Sequence, residues 1–208
     1  GRKHRRGLTA WLVPMLLGVS PVSVAAEDAV SPMPDSWFEI PKTASEVGIT
    51  SFSQSPMLDD AGLPPVNERL PDDPPVIEPL NNIGVFGGRA QITLGDSWQF
   101  FNWESALTIS ADLRNFLPNL AESWEVSPDG RITTIKLRSG LKWSDGHPLT
   151  SDDFIFTFNH IWLDTDINPV TSMLIIGGRI EKVDNLTFRY VFEDPNPMFE
   201  NLIAQYGS

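Results

Sequence analysis

The chain has 208 residues, no cysteine, and 15 Lys and Arg against 27 Asp and Glu, a formal net charge of -12. Zero cysteines exclude disulfide scaffolds, thiolate zinc sites, thiol catalysis and a lipid-modified N-terminal cysteine. The acidic balance leaves little basic surface for phosphates, so no nucleic-acid partner is expected, while a hydrophobic fraction of 41% is enough for a core and excludes wholesale disorder.

Arg2, Lys3, Arg5 and Arg6 form a basic start, Leu8 to Val24 carries no ionisable side chain, and Val24-Ala25-Ala26 places small residues before Glu27. This order predicts a secretory signal peptide over residues 1–26, cleaved after Ala26. The apolar stretch, about 17 residues long, is short for a spanning helix and is interrupted by Pro14, Gly18 and Pro21. Arg5-Arg6 leaves both general and twin-arginine export open. Removing those four cations leaves 11 Lys and Arg against 27 Asp and Glu, a net of -16. An exported, acidic, cysteine-free protein fits the periplasm of a double-membraned bacterium.

Residues 27–86 read as a Pro-rich extended arm. Proline lacks the backbone donor and biases its predecessor toward extended backbone, which disfavours long helices and central strands. Trp37, Phe38, Ile40, Leu58, Leu63 and Val66 are interspersed, so the arm is expected to pack on a body, with a short helix near residues 55–61. From Gly87 the pattern changes, and residues 87–208 read as the body. Residues 89–94 alternate like a strand and lead into Trp98-Gln99-Phe100-Phe101-Asn102-Trp103-Glu104. A helix is expected over residues 105–117, ended by Pro118. Strands at 124–126 and 131–138 flank Ser127-Pro128-Asp129-Gly130 as a hairpin. Its second strand carries Thr133, Ile135 and Leu137 on one face and Thr134, Lys136 and Arg138 on the other. Residues 141–143 form a strand before the tight turn Ser144-Asp145-Gly146.

Thr150 is a good N-cap, Asp153 stands in capping-box position, and Phe154, Phe158, Ile161 and Trp162 share a helical face. A second hairpin, residues 179–183 and 186–192, turns at Asp184-Asn185. There Leu186, Phe188, Tyr190 and Phe192 alternate with Thr187, Arg189 and Val191. A last amphipathic helix begins near Pro197, with Phe199, Leu202 and Ile203 inward.

Catalytic chemistry finds little support. Asp152 and Asp153 are adjacent on a helix, about 100° apart, and fit the helix dipole better than an acid/base pair. His147 and His160 have no metal-ligand motif between them, and neither Gly87-Gly88 nor Gly177-Gly178 belongs to a phosphate loop. The protein is therefore read as a non-enzyme needing no metal and no cofactor. Trp124, Trp143 and Trp162 are expected in the core. Trp98, Phe100, Asn102, Trp103 and Glu104 together offer aromatic, amide and carboxylate groups suited to an amphipathic ligand. The same residues would equally serve to pack the loop under the Pro-rich arm. A glycan-directed enzyme would need a second carboxylate beside Glu104, and none stands out.

The run Pro118-Asn119-Leu120-Ala121-Glu122-Ser123-Trp124-Glu125-Val126-Ser127-Pro128-Asp129-Gly130 resembles the signature region of the family 5 extracellular solute-binding proteins, the oligopeptide- and dipeptide-binding components of ABC importers. Ile135-Lys136-Leu137-Arg138-Ser139-Gly140-Leu141-Lys142-Trp143-Ser144-Asp145-Gly146, then Pro148-Leu149-Thr150 and Asp152-Asp153-Phe154, continue the likeness. Leu63-Pro64-Pro65-Val66-Asn67-Glu68-Arg69-Leu70-Pro71 with Gly87-Gly88 is similar to a subgroup with a long N-terminal extension. The resemblance implies a mixed α/β (α+β) fold, a lobe like those of the type II periplasmic binding proteins. It implies a receptor that is monomeric at full length, closes on a peptide-like solute and passes it to an inner-membrane ABC permease. Relatives of this type also take up nickel complexes, sugars or opines, and a periplasmic chaperone or sensor role on the same scaffold is the alternative. Family members are two to three times longer, so these residues read as an N-terminal fragment with an incomplete lobe, not expected to bind ligand tightly alone.

Overall fold

The computed structural model of the protein describes residues 33–88, 104–169, 173 and 175–205. The expected signal peptide, the strand at 89–94, and Trp98, Phe100, Asn102 and Trp103 of the aromatic loop lie outside the described residues.

Residues 33–88 contain only short helical turns: 3-10 turns at Asp35–Trp37 and Pro56–Leu58, and one-turn helices α1, Ala44–Val47, and α2, Val66–Arg69. The turn at Pro56–Leu58 is shorter than the helix expected over 55–61. Ser55 caps it by accepting from the Met57 amide, and Pro56 supplies the preset φ of a first helical residue. Within the segment, residues 36–45 run back against 73–78. Thr43 bridges Pro75, Ala44 N donates to Pro74 O at 2.9 Å, and Val76 N donates to Lys42 O at 2.8 Å. The Trp37 indole donates to Glu78 O at 2.8 Å.

The helix expected at 105–117 is instead a β-hairpin, β1 Leu107–Ile109 and β2 Phe116–Pro118, in the register Leu107↔Pro118 and Ile109↔Phe116. Ser110 is the cause. Its buried hydroxyl accepts the amides of Asn115 at 2.9 Å and Arg114 at 3.3 Å and donates to Asp112 at 2.6 Å, while Leu113 turns the chain at φ 61. Such local side-chain bonds give the backbone an alternative to the helical ladder.

β3, Ala121–Val126, and β4, Ile132–Leu137, form the expected hairpin around Ser127–Gly130. The Ser127 hydroxyl accepts from Ile132 N and donates to Asp129, tying the turn. Thr133, Ile135 and Leu137 point inward as the alternation requires. Arg138 departs from it. The strand ends at Leu137, and the Arg138 guanidinium turns in, 7% exposed, to donate from Nε to Asn119 O at 2.7 Å.

α3, Ser151–Thr157, starts at the expected capping box: Thr150 N donates to Asp153 Oδ2 at 2.7 Å. It passes into a π-helical turn, Phe158–Trp162, closed by Leu163 N to Phe158 O at 3.1 Å. The wider turn changes the helical phase. Phe154 and Phe158 stay buried and Trp162 is half-buried, but Ile161 is exposed, contrary to the face read from the sequence. β5, Gly178–Lys182, and β6, Thr187–Phe192, form the second hairpin, and α4, Phe199–Gln205, closes the described chain.

The larger sheet is antiparallel, in the order β3-β4-β6-β5. α3 and α4 bury its inner face through aromatic contacts: Phe154 on Phe188 at 4.7 Å, Tyr190 on Phe199 at 4.6 Å and Phe192 on Phe199 at 4.8 Å. Phe158, Phe188, Phe199, Leu107, Ile135 and Leu137 are among the largest fully buried side chains. This is the mixed α/β architecture expected. Among the described residues no helix is long and apolar enough to cross a membrane.

Candidate functional site

Of the five candidate ligand residues, Glu104 is described. It stands just before β1, and its carboxylate accepts from the Asn119 amide at 2.7 Å. Asn119 follows β2, so the short hairpin brings the two together. The same amide nitrogen donates to Ser105 O at 2.9 Å, the Asn119 backbone donates to Ala106 O at 3.1 Å, and its carbonyl accepts from Arg138. Asn119 thus fixes Glu104 to the hairpin and to the end of β4. Burial lowers the pKa of Arg138, while the carboxylates of Glu122 and Asp73 favour its charged form.

Glu104 and Asn119 form the polar end of a cleft of about 390 Å³. It is lined by Thr108, Ile109, Leu117 and Pro118 of the hairpin and by Trp37, Pro41, Pro75 and Ile77 of the N-terminal segment. The volume falls within the range of small-molecule sites, as does the arrangement of apolar walls with a few polar groups. Among the described lining residues Glu104 is the one carboxylate. The geometry offers a polar anchor at an apolar surface rather than a pair of acids.

The other titratable residues singled out from sequence have structural partners. Asp153 caps α3, and Asp152 pairs with Lys182 at 2.7 Å. The His147 ring meets Pro148 O at 3.0 Å, and the His160 ring lies against Phe156 at 5.0 Å. Burial raises the pKa of the Tyr190 phenol, and the Arg189 and Arg179 hydrogen bonds lower that of Glu181. The tryptophans divide. Trp124 packs against the core and donates to Glu200 at 2.7 Å, and Trp162 packs there too. Trp143 does not belong to the core: it is 47% exposed and donates to Asp153 at 3.3 Å, because its strand is only the one-bridge turn of Lys142 with Pro148. Asn119 and Arg138 were not singled out as site residues from sequence. The signal available for Asn119 was the Pro-Asn step directly after an apolar run, a turn position whose amide can reach back along the chain.

Residues 115–208 match the family described as bacterial extracellular solute-binding proteins, family 5 Middle. The match covers 94 of the 208 residues, a little under half of the chain. The whole chain aligns at 29% identity with the periplasmic alpha-galactoside-binding protein of Rhizobium meliloti, covering 36% of it. Among solved structures, an oligopeptide-binding protein OppA superposes with a TM-score of 0.69 at 34% identity, over 79% of this chain and 28% of that one. The periplasmic binding protein MelB of Agrobacterium fabrum C58, in complex with stachyose, gives 0.59 at 28% identity, over 76% and 29%. The chain therefore spans about a third of the length of the relatives it matches.

Proposed function

We propose that the protein is the substrate-binding component of an ABC importer, capturing a peptide-like solute in the periplasm and delivering it to an inner-membrane permease. The observation that carries this reading is the agreement of the backbone with an oligopeptide-binding protein over 79% of the chain at 34% identity. Capture of this kind needs no bond chemistry, only a closed state that holds the solute better than the open one. In this reading residues 1–26 are a cleaved export signal, 27–86 an arm and 87–208 the start of the binding body, and the full-length receptor is a monomer. The ligand surface is Trp98, Phe100, Asn102, Trp103 and Glu104: the aromatics supply area, and Asn102 and Glu104 supply orientation.

A second reading, uptake of an α-galactoside, is favoured by one observation: a relative that aligns with the whole chain, Pro-rich segment included, is named for alpha-galactoside binding. Calorimetry on the protein as its host makes it separates the two, with tri- to pentapeptides in one series and raffinose and stachyose in the other. Saturable peptide binding, weakened about tenfold or more by Trp103→Ala and by Glu104→Gln, is the expected result; tenfold is about 1.4 kcal/mol. Binding of galactosides without peptides would establish the second reading, and binding of neither class overturns both.

A further inference from the structure

We infer that residues 36–78 form a strap, a separately releasable unit clamped onto the body at the Ser139-Gly140 turn, and that the missing side chain of Gly140 makes the clamp possible. The strap is closed on itself by the pairing of residues 36–45 with 73–78. Among the described residues, hydrogen bonds join it to the body at two places. At one, Ala111 N donates to Trp37 O at 3.0 Å and the Asn115 side chain to Phe38 O at 3.1 Å. At the other, Asp72 N donates to Ser139 O at 3.0 Å and Lys142 Nζ to Glu68 O at 2.7 Å.

These links are polar. Pro41 and Ala44 are the buried residues of 33–88, and neither belongs to the hydrophobic core, which is drawn wholly from residues 106 onward. A unit held by few buried apolar groups and by bonds near solvent opens at a lower free energy than the sheet it leans on. Gly140 has φ +77, and a Cβ there would lie 2.8 Å from both the backbone nitrogen and Cγ of Asp72. Any side chain would drive the strap off the turn. Because Trp37, Pro41, Pro75 and Ile77 line one cleft with Glu104, release of the strap removes that part of its lining. The inference stands whichever solute the cleft receives.

Hydrogen exchange on the mature protein tests it. In the wild type, the hydrogen-bonded amides of Ala44, Ser45, Asp72 and Val76 are expected to exchange at least about tenfold faster than those of β4 and β6. Gly140→Ala should speed exchange across 66–78 about tenfold more and leave β4 and β6 unchanged. Gly146→Ala is the control: it carries similar backbone strain, φ +90, but nothing lies within 4 Å of its Cβ. Exchange in the strap should not change there. Lys142→Met, which removes only the bond to Glu68, should give a smaller increase, about threefold. Strap amides protected as well as the sheet in the wild type, or a Gly140→Ala variant that loosens strap and sheet alike, would overturn the inference. Should Gly140→Ala not fold, the wild-type comparison and Lys142→Met decide it.

Discussion

The segment 33–88 and the sheet β3-β4-β6-β5 are held by different forces, although each is ordered over much of its length. The sheet is a hydrophobic object: Ile135, Leu137 and Phe188 are fully buried, and the aromatic rings of α3 and α4 close over them. The segment is a hydrogen-bonded object whose apolar side chains largely face water, with Ile40, Met57, Ile83 and Val85 between 67% and 94% exposed. Fully burying a large apolar side chain stabilises by about 1.5–3 kcal/mol, whereas a hydrogen bond exchanged with water contributes about 1 kcal/mol. Two regions of one chain are thus expected to differ in how they respond to the same perturbation.

The largest effect should come from the sheet. Phe188→Ala is expected to cost about 3–5 kcal/mol, since the fully buried ring stacks on Phe154 and meets Tyr190 edge-on, and its removal leaves a cavity among them. Val85→Ala, at a residue 94% exposed in the segment, should change stability by less than about 0.5 kcal/mol. Urea denaturation of the two variants checks the contrast, and equal losses would break the comparison.

Thr150→Ala comes next. It removes the hydroxyl that accepts the Asp152 amide and one half of the capping box, for about 1 kcal/mol. Thr150→Ser should restore most of it in the same assay.

The smallest effect belongs to the segment and to acid. Asp73 has its pKa held below the ordinary 3.8, first by the Ser45 hydroxyl and then by the Ser45 amide, with Thr43 and the charge of Arg138 acting in the same direction. Because the folded pKa is depressed, the stabilisation is fully present above 3.8 and is lost as pH falls through the folded value. The Ser45 amide should therefore lose protection below about pH 3.8, after correction for intrinsic exchange, while β4 and β6 stay protected at that pH. Ser45→Ala should abolish this difference. A midpoint above 3.8 would show that another group controls the pairing.

The body was far more legible than the segment for the same reason. Alternation at 132–137 and 187–190 and the capping box at Thr150 and Asp153 are short-range patterns tied directly to burial, and the structure repeats them, whereas Val191, expected opposite Tyr190 and Phe192, is buried as they are. The helix expected at 105–117 failed because apolar spacing there suits either state, and the Ser110 hydroxyl decided for a hairpin. Ile161 failed because a π turn altered the phase after Phe158. Trp143 failed because a large aromatic is buried only where a full element carries it inward. Of the candidate site, Glu104 was named from sequence, but its partner Asn119 and the N-terminal lining of the cleft, Trp37, Pro41, Pro75 and Ile77, were not.

By itself the sequence determined the likeness of residues 115–208 to a solute-binding family, the two sheet hairpins, the capped helix and the aromatic faces that make the core. Each is encoded by neighbours within a few residues or by a periodic match to burial. Only the tertiary structure decided that residues 36–78 close on themselves, that Gly140 seats Asp72, and that Trp37 and Ile77 line one cleft with Glu104. Those contacts join residues far apart in the chain through backbone groups that every residue carries, so no local pattern of side chains announces them.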